Sequence, residues 1–173
     1  MKQNERNNMS FKNFYFDEAL EKAIDAVGFK DATEIQKQAI PIILQGQDVL
    51  ASAQTGTGKT AAFLLPLIQI LMDKDQKARV PRAVVLSPTR ELAEQIAEQF
   101  DAFAKDLGLT QVLLIGGVAQ GKQTAVMRKD VDVIIATPGR LIDLIEQGKM
   151  LLHQVNYLII DEADRMLDMG FIP

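Results

Sequence analysis

The sequence predicts an α/β domain with three layers, in which helices cover both faces of a mostly parallel sheet. Two observations predict this class. Short apolar, β-branched runs alternate with longer helical segments, and runs such as Ala83–Leu86 are apolar throughout. Continuous apolar strands are buried on both faces, which is typical of parallel sheets whose strands are joined by helices. At 173 residues the chain is long enough for one such domain and too short for two.

Six helices and five strands account for the pattern. The first two helices precede the alternating segments, and each ends near a glycine, Gly28 or Gly46, where a left-handed backbone is favourable. The remaining segments alternate between strand and helix. The predicted strands are Asp48–Ala51, Arg82–Ser87, Gln111–Ile115, Val131–Ala136 and Val155–Ile160. The predicted helices are Asp17–Val27, Thr33 to near Gly46, Lys59–Met72, Glu91–Leu107, Gln120–Lys129 and Pro138–Glu146.

Composition excludes several classes of protein. No apolar run approaches the roughly 20 residues that a membrane span needs. Residues 1–10, which we predict to be a flexible polar leader to a domain of residues 11–173, lack the apolar segment of a signal peptide. The chain has no cysteine, which excludes disulfides and thiolate metal sites and suits the cytoplasm. Its net charge of −4 requires any nucleic-acid contact to be local rather than a bulk attraction.

A phosphate-binding loop is predicted between the first strand and the helix that begins at Lys59. Glycines in such a loop let backbone N–H groups turn toward phosphate oxygens, and the helix N-terminus adds partial positive charge. Lys59 would contact the β- and γ-phosphates of ATP, and the Thr60 hydroxyl would bind Mg²⁺. The alternative is a Gly/Thr-rich turn with a solvated lysine, and Ala53 replaces the usual first glycine. The position between strand and helix favours the loop. Its residues are Ala53, Gln54, Thr55, Gly56, Thr57, Gly58, Lys59 and Thr60.

An acidic motif, Asp161-Glu162-Ala163-Asp164, follows the last predicted strand. A carboxylate at the carboxyl end of a parallel strand faces the same crevice as a phosphate loop. Asp161 would therefore bind Mg²⁺, directly or through water, and Glu162 would orient or deprotonate the attacking water. The alternative is that these acids only cap the next helix. That alternative does not explain why they follow so apolar a strand in a chain that also has a phosphate loop.

These residues together resemble a known family. The acidic motif is the signature of the DEAD-box RNA helicases, and residues 11–173 resemble the first, N-terminal RecA-like lobe of that family. Gly28-Phe29 followed by Thr33-Glu34-Ile35-Gln36 resembles the adenine-reading Q motif. Phe11 lies at the upstream spacing where the family has an aromatic residue that stacks on adenine. The resemblance therefore implies that Phe11, Phe29, Thr33 and Gln36 belong to the nucleotide site.

Gln36 has two interpretations. Thr33 and Gln36 also have the spacing of a capping box, in which each side chain satisfies a backbone N–H at a helix start. A free Gln36 amide would instead match the donor–acceptor edge of adenine and discriminate ATP from GTP. The two roles compete, since a glutamine engaged in the cap cannot also offer its whole amide to a base. Ala32 and Glu34 stand where the family usually has prolines, which loosens the turn before this helix.

Three further elements resemble those that contact RNA in the family's lobe. Two of them are also ordinary helix starts, with a threonine cap at Thr89 or Thr137. A helix start is equally a phosphate site, where Gly139 would allow close backbone approach and Arg140 would supply charge. The family's elements contact the RNA backbone rather than bases, so recognition would be independent of sequence, and the 2′-hydroxyl would identify RNA. The predicted RNA-binding residues are Pro88, Thr89, Arg90, Gly116, Gly117, Thr137, Pro138, Gly139 and Arg140.

The resemblance implies an ATP-dependent RNA helicase, in which ATP and RNA close two lobes and a short duplex is unwound. Asp164 would couple the lobes, and a second RecA-like lobe would follow Pro173. Because the chain stops soon after the acidic motif, we expect a fragment. Because the second lobe and its arginine fingers would lie beyond Pro173, we expect this fragment to hydrolyse ATP very slowly. The segment Asp164–Phe171 is most similar to bacterial members of the RhlE type. The alternatives are a DNA-directed superfamily 2 motor, another phosphate-loop enzyme such as a kinase, and a remnant that binds ATP or RNA without turnover.

Overall fold

The computed structural model of the protein describes residues 9–54, 56–72, 80–117 and 131–171. Within them the chain forms two compact units. The first unit comprises the described residues up to Met72 together with 102–108, and the second comprises those of 80–101 and 109–171. In the described part of the chain, no helix is both long and apolar enough to cross a membrane.

The first unit is helical. A single turn of 3-10 helix, Phe11–Phe14, precedes α1 (Glu18–Val27), α2 (Glu34–Leu44) and α3 (Lys59–Met72). The Asp17 side chain caps α1 by accepting the Ala19 N–H at 2.8 Å, and Gly28 ends this helix with φ +90°. Helices α2 and α3 pack against each other, and most of α3 is buried. All three helices lie where the sequence predicted them.

The predicted boundary of the polar leader requires a correction. Met9 and Ser10 belong to the folded unit, because the Met9 carbonyl accepts the Ala32 N–H at 2.9 Å and Ser10 forms an antiparallel bridge with Asp31. Ser10 also caps the 3-10 turn that follows it. Residues 1–8 of the predicted leader lie outside the described residues.

The predicted strand Asp48–Ala51 is not a strand in the structure. Residues 47–51 have no ladder among the described residues, and the Leu50 side chain is fully exposed. A strand exists only when its backbone groups pair with a neighbour, and apolar, β-branched composition alone does not supply one. The strand predicted before the phosphate loop is therefore absent from the described residues, whereas the helix predicted after the loop is present.

The second unit is built around a parallel sheet of four strands. Its strands are β1 (Ala83–Leu86), β2 (Gln111–Leu114), β3 (Val133–Ala136) and β4 (Tyr157–Ile160), in the order β2-β3-β1-β4. Its helices are α4 (Arg90–Ala104), whose last turn is assigned to the first unit, α5 (Pro138–Glu146) and α6 (Ala163–Asp168). The other four predicted strands and the predicted parallel sheet are thus confirmed. The predicted helix Gln120–Lys129 lies outside the described residues.

The inner strands of this sheet are buried, as their continuous apolar sequence predicted. All four residues of β3 and the first three of β1 are buried. Leu141 and Leu144 of α5 pack with these strands in one apolar cluster. Strand β4 differs, because it lies at the edge of the described sheet and Leu158 on it is 61% exposed. Strand β4 is as apolar as the inner strands, but at the edge of the described sheet its side chains are only partly buried.

A buried ion pair links the amino ends of three strands. Arg82 and Asp132, which precede β1 and β3, approach to 2.6 Å with side chains 7% and 11% exposed. The other Asp132 carboxylate oxygen accepts the backbone N–H of Thr110, just before β2, at 2.9 Å. The Asp132 carbonyl also accepts the N–H groups of Arg82 and Ala83. This network fixes the relative position of the strands at the amino edge.

Candidate nucleotide and nucleic-acid sites

The predicted phosphate loop has left-handed backbone angles at its two described glycines. Gly56 and Gly58 have φ values of +80° and +85°, in the left-handed region that glycine enters at low cost. The Thr57 hydroxyl donates to the Gln54 carbonyl at 2.7 Å, which closes the turn. Lys59 and Thr60 are the first two residues of α3, where the unpaired N–H groups of a helix start lie. Thr55 is outside the described residues.

Gly58 lies against Gln36, and this contact was not predicted. The Gly58 carbonyl accepts both the Ala62 N–H and the Gln36 Nε2–H, the latter at 3.0 Å. A Cβ added at Gly58 would collide with Gln36 Nε2 and lie 3.3 Å from Thr33 Oγ1. Gly58 is therefore required twice, once for its backbone angle and once for the space that Gln36 occupies.

The Gln36 amide is engaged at both of its ends. Its Oε1 accepts the Thr33 N–H at 2.9 Å, so the predicted capping box forms at the start of α2. Its Nε2 donates to Gly58, and the side chain is only 2% exposed. A neutral amide retains one further N–H and one further lone pair beyond these bonds. The cap and the loop contact thus coexist, and adenine recognition by Gln36 stays a prediction.

Phe11 and Phe29 belong to a cluster of aromatic rings in the first unit. The Phe11 ring centroid lies 5.9 Å from that of Phe14 and 5.8 Å from that of Phe29. Phe29 in turn meets Phe103 edge to face at 5.6 Å. Phe11 is only 4% exposed, so the described ring has little surface on which a base could stack. Adenine stacking by Phe11 stays a prediction that requires a face of this ring to become accessible.

The acidic motif begins where β4 ends. The Asp161 N–H donates to the Leu86 carbonyl at 2.9 Å, which places Asp161 beside the carboxyl end of β1. The Asp161 carboxylate accepts the Glu162 N–H at 3.1 Å, and Glu162 pairs with Arg165 at 3.3 Å. Glu162 precedes α6 with φ +50° and ψ +50°. A non-glycine residue in this region costs about 1–3 kcal/mol, and such strain is concentrated at functional sites.

The carboxyl edge of the sheet collects residues that are distant in sequence. The register pairs Leu86 of β1 with Ala136 of β3 and with Ile160 of β4. The residues that follow these strands, Ser87, Thr137 and Asp161, therefore leave the sheet side by side. Strand β2 ends at the same level, because Leu114 pairs with Ala136, so the acidic motif and all three predicted RNA elements begin at this edge.

A cleft of about 620 Å³ lies at this edge, entirely within the second unit. Members of all three predicted RNA elements line it, together with residues that the sequence did not indicate. Pro138 is not among its lining residues and is buried at the start of α5, and Gly117 is not among them either. The cleft is lined by Pro88, Thr89, Arg90, Glu91, Gly116, Thr137, Gly139, Arg140, Asp143 and Phe171.

The glycine pair makes room for an arginine of the cleft. A Cβ on Gly116 would lie 3.2 Å from Arg90 Nη2, and one on Gly117 would lie 2.5 Å from Arg90 Nη1. The Gly117 backbone also has φ +82°, which favours glycine. The guanidinium of Arg90, an exposed side chain, therefore lies against the backbone of these two glycines, and the left-handed angle of Gly117 is the structural reason for glycine at that position.

Arg140 is held by a carboxylate of its own helix. Its Nη1 lies 2.7 Å from the Asp143 carboxylate, and the side chains are 12% and 46% exposed. Asp143 also accepts a hydrogen bond from Gln147. The spacing of three residues on one helix could have revealed this pair from the sequence. Phe171 could not be found in that way, because only the tertiary fold brings it to the cleft.

The described features define a class of protein before any comparison. They are a parallel α/β sheet with an acidic motif at its carboxyl edge, a glycine-rich loop that opens a helix, and a cleft with two arginines. This combination is that of a RecA-like, nucleotide-dependent domain. The family model for DEAD/DEAH box helicases matches residues 33–173, and the chain belongs to this family.

Relatives of known sequence and structure agree with this assignment. The chain is 46% identical over 158 residues to the probable ATP-dependent RNA helicase DDX23 of Homo sapiens, covering 88% of this chain and 19% of that protein. It is 46% identical over 169 residues to RhlB of Xanthomonas oryzae, covering 95% of this chain and 29% of that one. The ADP-bound structure of Prp28 from Chaetomium thermophilum superposes with a TM-score of 0.88 at 43% identity, covering 95% of this chain and 41% of that chain. The chain thus spans less than half of each of these relatives.

Proposed function

We propose that this chain is the ATP-binding, RNA-contacting lobe of an ATP-dependent RNA helicase that works in the cytoplasm. One observation carries the proposal. Three sequence elements that resemble RNA-contacting motifs line a single cleft, at the sheet edge where the acidic motif begins. The assignment of the chain to the DEAD/DEAH box helicases supports it. A second RecA-like lobe after Pro173, coupled through Asp164, belongs to the same proposal.

The nucleotide would be held by the phosphate loop, with Gln36 and Phe11 toward adenine. The left-handed angles of Gly56 and Gly58, and the start of α3 at Lys59, support a phosphate site, because glycine angles of this kind allow loop N–H groups to face an anion. Mg²⁺ usually takes only one or two protein oxygens and fills its remaining positions with water and phosphate. A hydroxyl at Thr60 and a carboxylate at Asp161 fit that need. When bound, Mg²⁺ would offset the negative charge of the phosphates.

Within the acidic motif, Asp161 and Glu162 would have different roles. Asp161 would orient the metal, and Glu162 would position the attacking water and accept its proton. The left-handed backbone of Glu162 turns the chain directly from β4 into α6. Strain of this kind is retained where it keeps a side chain in a required orientation.

The cleft would bind a single strand by its backbone. Helix starts at Thr89 and Thr137 offer N–H groups, while Arg90 and Arg140 offer charge. Gly139, which has open space where a Cβ would lie, allows close approach. Binding of this type is local, so it is compatible with a chain whose net charge is −4. It is also independent of base sequence, since phosphates and sugars are the same at each step.

RNA-stimulated ATP hydrolysis tests the proposal. ATPase rates are measured with ribose and deoxyribose single strands in a protein that contains both lobes and in its Lys59→Ala variant. We expect stimulation by the ribose strand and its loss in Lys59→Ala, whereas RNA binding without nucleotide persists. Equal stimulation by DNA would instead indicate a DNA-directed motor. RNA binding without any hydrolysis, even with a second lobe present, would indicate a binding-only protein.

The chain by itself is proposed to be nearly inactive. A transition-state arginine supplied by a second lobe is worth about 10³–10⁵ in rate. Residues 1–173 alone should therefore hydrolyse ATP far more slowly than a protein with both lobes. Single-turnover rates for both, with and without RNA, would measure the difference.

A further inference from the structure

Phe171 lines the cleft together with the arginines and helix starts described above. Its side chain is 38% exposed, although a phenyl ring gains free energy when it is removed from water. No RNA-binding element predicted from the sequence includes this residue. Among the lining residues of the described cleft it is the one aromatic side chain.

The backbone geometry after α6 determines where Phe171 lies. Gly170 has φ +74°, its N–H donates to the Leu167 carbonyl at 3.0 Å, and the Phe171 N–H donates to the Met166 carbonyl at 3.0 Å. These two bonds are those of a Schellman motif, which ends a helix in a fixed conformation. Met166 is 1% exposed and anchors the helix in the core. The backbone position of Phe171 is thus fixed by a defined turn.

We propose that Phe171 is a further RNA contact, whose ring packs against a base or ribose of the strand bound in the cleft. The proposal rests on the proposed function of this cleft. The phosphates already have Arg90, Arg140 and the helix starts as partners, whereas Phe171 is the one lining residue of the described cleft with an aromatic face for a base. An exposed aromatic face is the group that proteins use for an unpaired base, and stacking does not depend on base identity.

The position of α6 gives this contact a measurable consequence. The helix is six residues long, with Glu162 of the acidic motif immediately before it and Phe171 three residues after its end. An RNA strand that packs on Phe171 therefore lies beside α6, the short helix that follows Glu162 of the acidic motif. In a protein that contains both lobes, we expect the loss of the ring to raise the RNA concentration that half-maximally stimulates ATP hydrolysis, with the rate at saturating RNA unchanged.

Substitution of the ring tests the proposal. The affinity of a labelled single-stranded RNA is measured by fluorescence anisotropy, with a non-hydrolysable ATP analogue present, for the protein and for Phe171→Leu and Phe171→Tyr. Loss of one stacking contact corresponds to binding weaker by about 5- to 150-fold. We expect this loss for Phe171→Leu, which keeps apolar bulk, and near-normal binding for Phe171→Tyr, which keeps an aromatic face. Leu167→Ala, at a residue that is 54% exposed and does not line the cleft, is the matched control and should bind normally.

A set of RNAs, each with one abasic position, separates stacking from a general disturbance. If the ring packs on one base, Phe171→Leu should lose its effect on the RNA that lacks that base and keep it on the others. An equal loss on every RNA, accompanied by weaker nucleotide binding, would overturn the proposal in favour of a structural role. Normal binding by Phe171→Leu, while Arg140→Gln binds weakly, would overturn it and leave the proposed function intact. Absence of RNA binding by the unaltered protein would instead overturn the proposed function.

Discussion

At the scale of single residues, glycines with the same left-handed backbone differ in the side chains that lie beside them. Gly58 and Gly117 each combine a left-handed backbone with a neighbouring side chain in the space of a Cβ, namely Gln36 and Arg90. Gly56 has the same kind of backbone with open space around it. Sequence patterns treat these glycines alike, although their substitution should have different costs.

Gly58→Ala should be more harmful than Gly56→Ala. Both substitutions place a Cβ on a left-handed residue, at a cost of about 1–2 kcal/mol, but only the first displaces Gln36 and breaks its bond to the loop. We expect weaker ATP binding and a lower free energy of unfolding for Gly58→Ala, measured by nucleotide titration and urea unfolding. In a Gln36→Ala background the collision is removed, so Gly58→Ala should then cost no more than Gly56→Ala. Additive costs in that double variant would contradict the account.

At the scale of elements, the two edges of the sheet have different roles. The carboxyl edge carries the acidic motif and the helix starts of the cleft, while the amino edge is held by the buried pair of Arg82 and Asp132. This division is typical of open α/β sheets, in which ligands bind outside the carboxyl ends of strands. The amino edge therefore affects function only through the positions of the strands.

Asp132→Asn should destabilise the fold strongly. The substitution keeps the shape of the side chain and leaves the charge of Arg82 buried without its carboxylate partner. Breaking one side of a buried pair costs about 3–5 kcal/mol, which urea unfolding would measure. Glu18→Gln breaks the exposed pair with Lys22, whose side chains are 83% and 73% exposed, and should change stability little. Comparable effects of the two substitutions would contradict a structural role for the buried pair.

At the scale of the whole molecule, charge and proposed function have to be reconciled. The chain has a net charge of −4, and two carboxylates, Glu91 and Asp143, line the cleft beside its two arginines. Affinity for a polyanion would therefore come from a few directed contacts rather than from an attractive surface.

RNA binding should depend only weakly on salt. For single strands the slope of log K against log salt is about −0.7 per phosphate contact that releases a counterion. Two arginines predict a slope between about −1 and −2, and Arg140→Gln should reduce its magnitude by about 0.7. Affinity measured at several salt concentrations checks both values. A slope several times steeper would indicate a basic surface elsewhere on the protein.

The sequence alone determined what depends on local order and composition. Helix starts and ends follow from caps and glycines such as Asp17 and Gly28, and apolar runs identify buried strands such as β3. Motif spacing likewise identified the loop, the acidic residues and the family. These signals lie within a few residues of one another, so no knowledge of the fold is needed to read them.

Only the tertiary structure decided what depends on distant partners. Asp48–Ala51 has the composition of a strand but no ladder among the described residues, because pairing is supplied by another segment and not by composition. For the same reason, the sequence could not show that Gln36 reaches Gly58, that Arg90 packs on the glycine pair, or that Phe171 enters the cleft. These residues are 22, 26 and more positions apart in the sequence, so they come into contact only when the chain has folded.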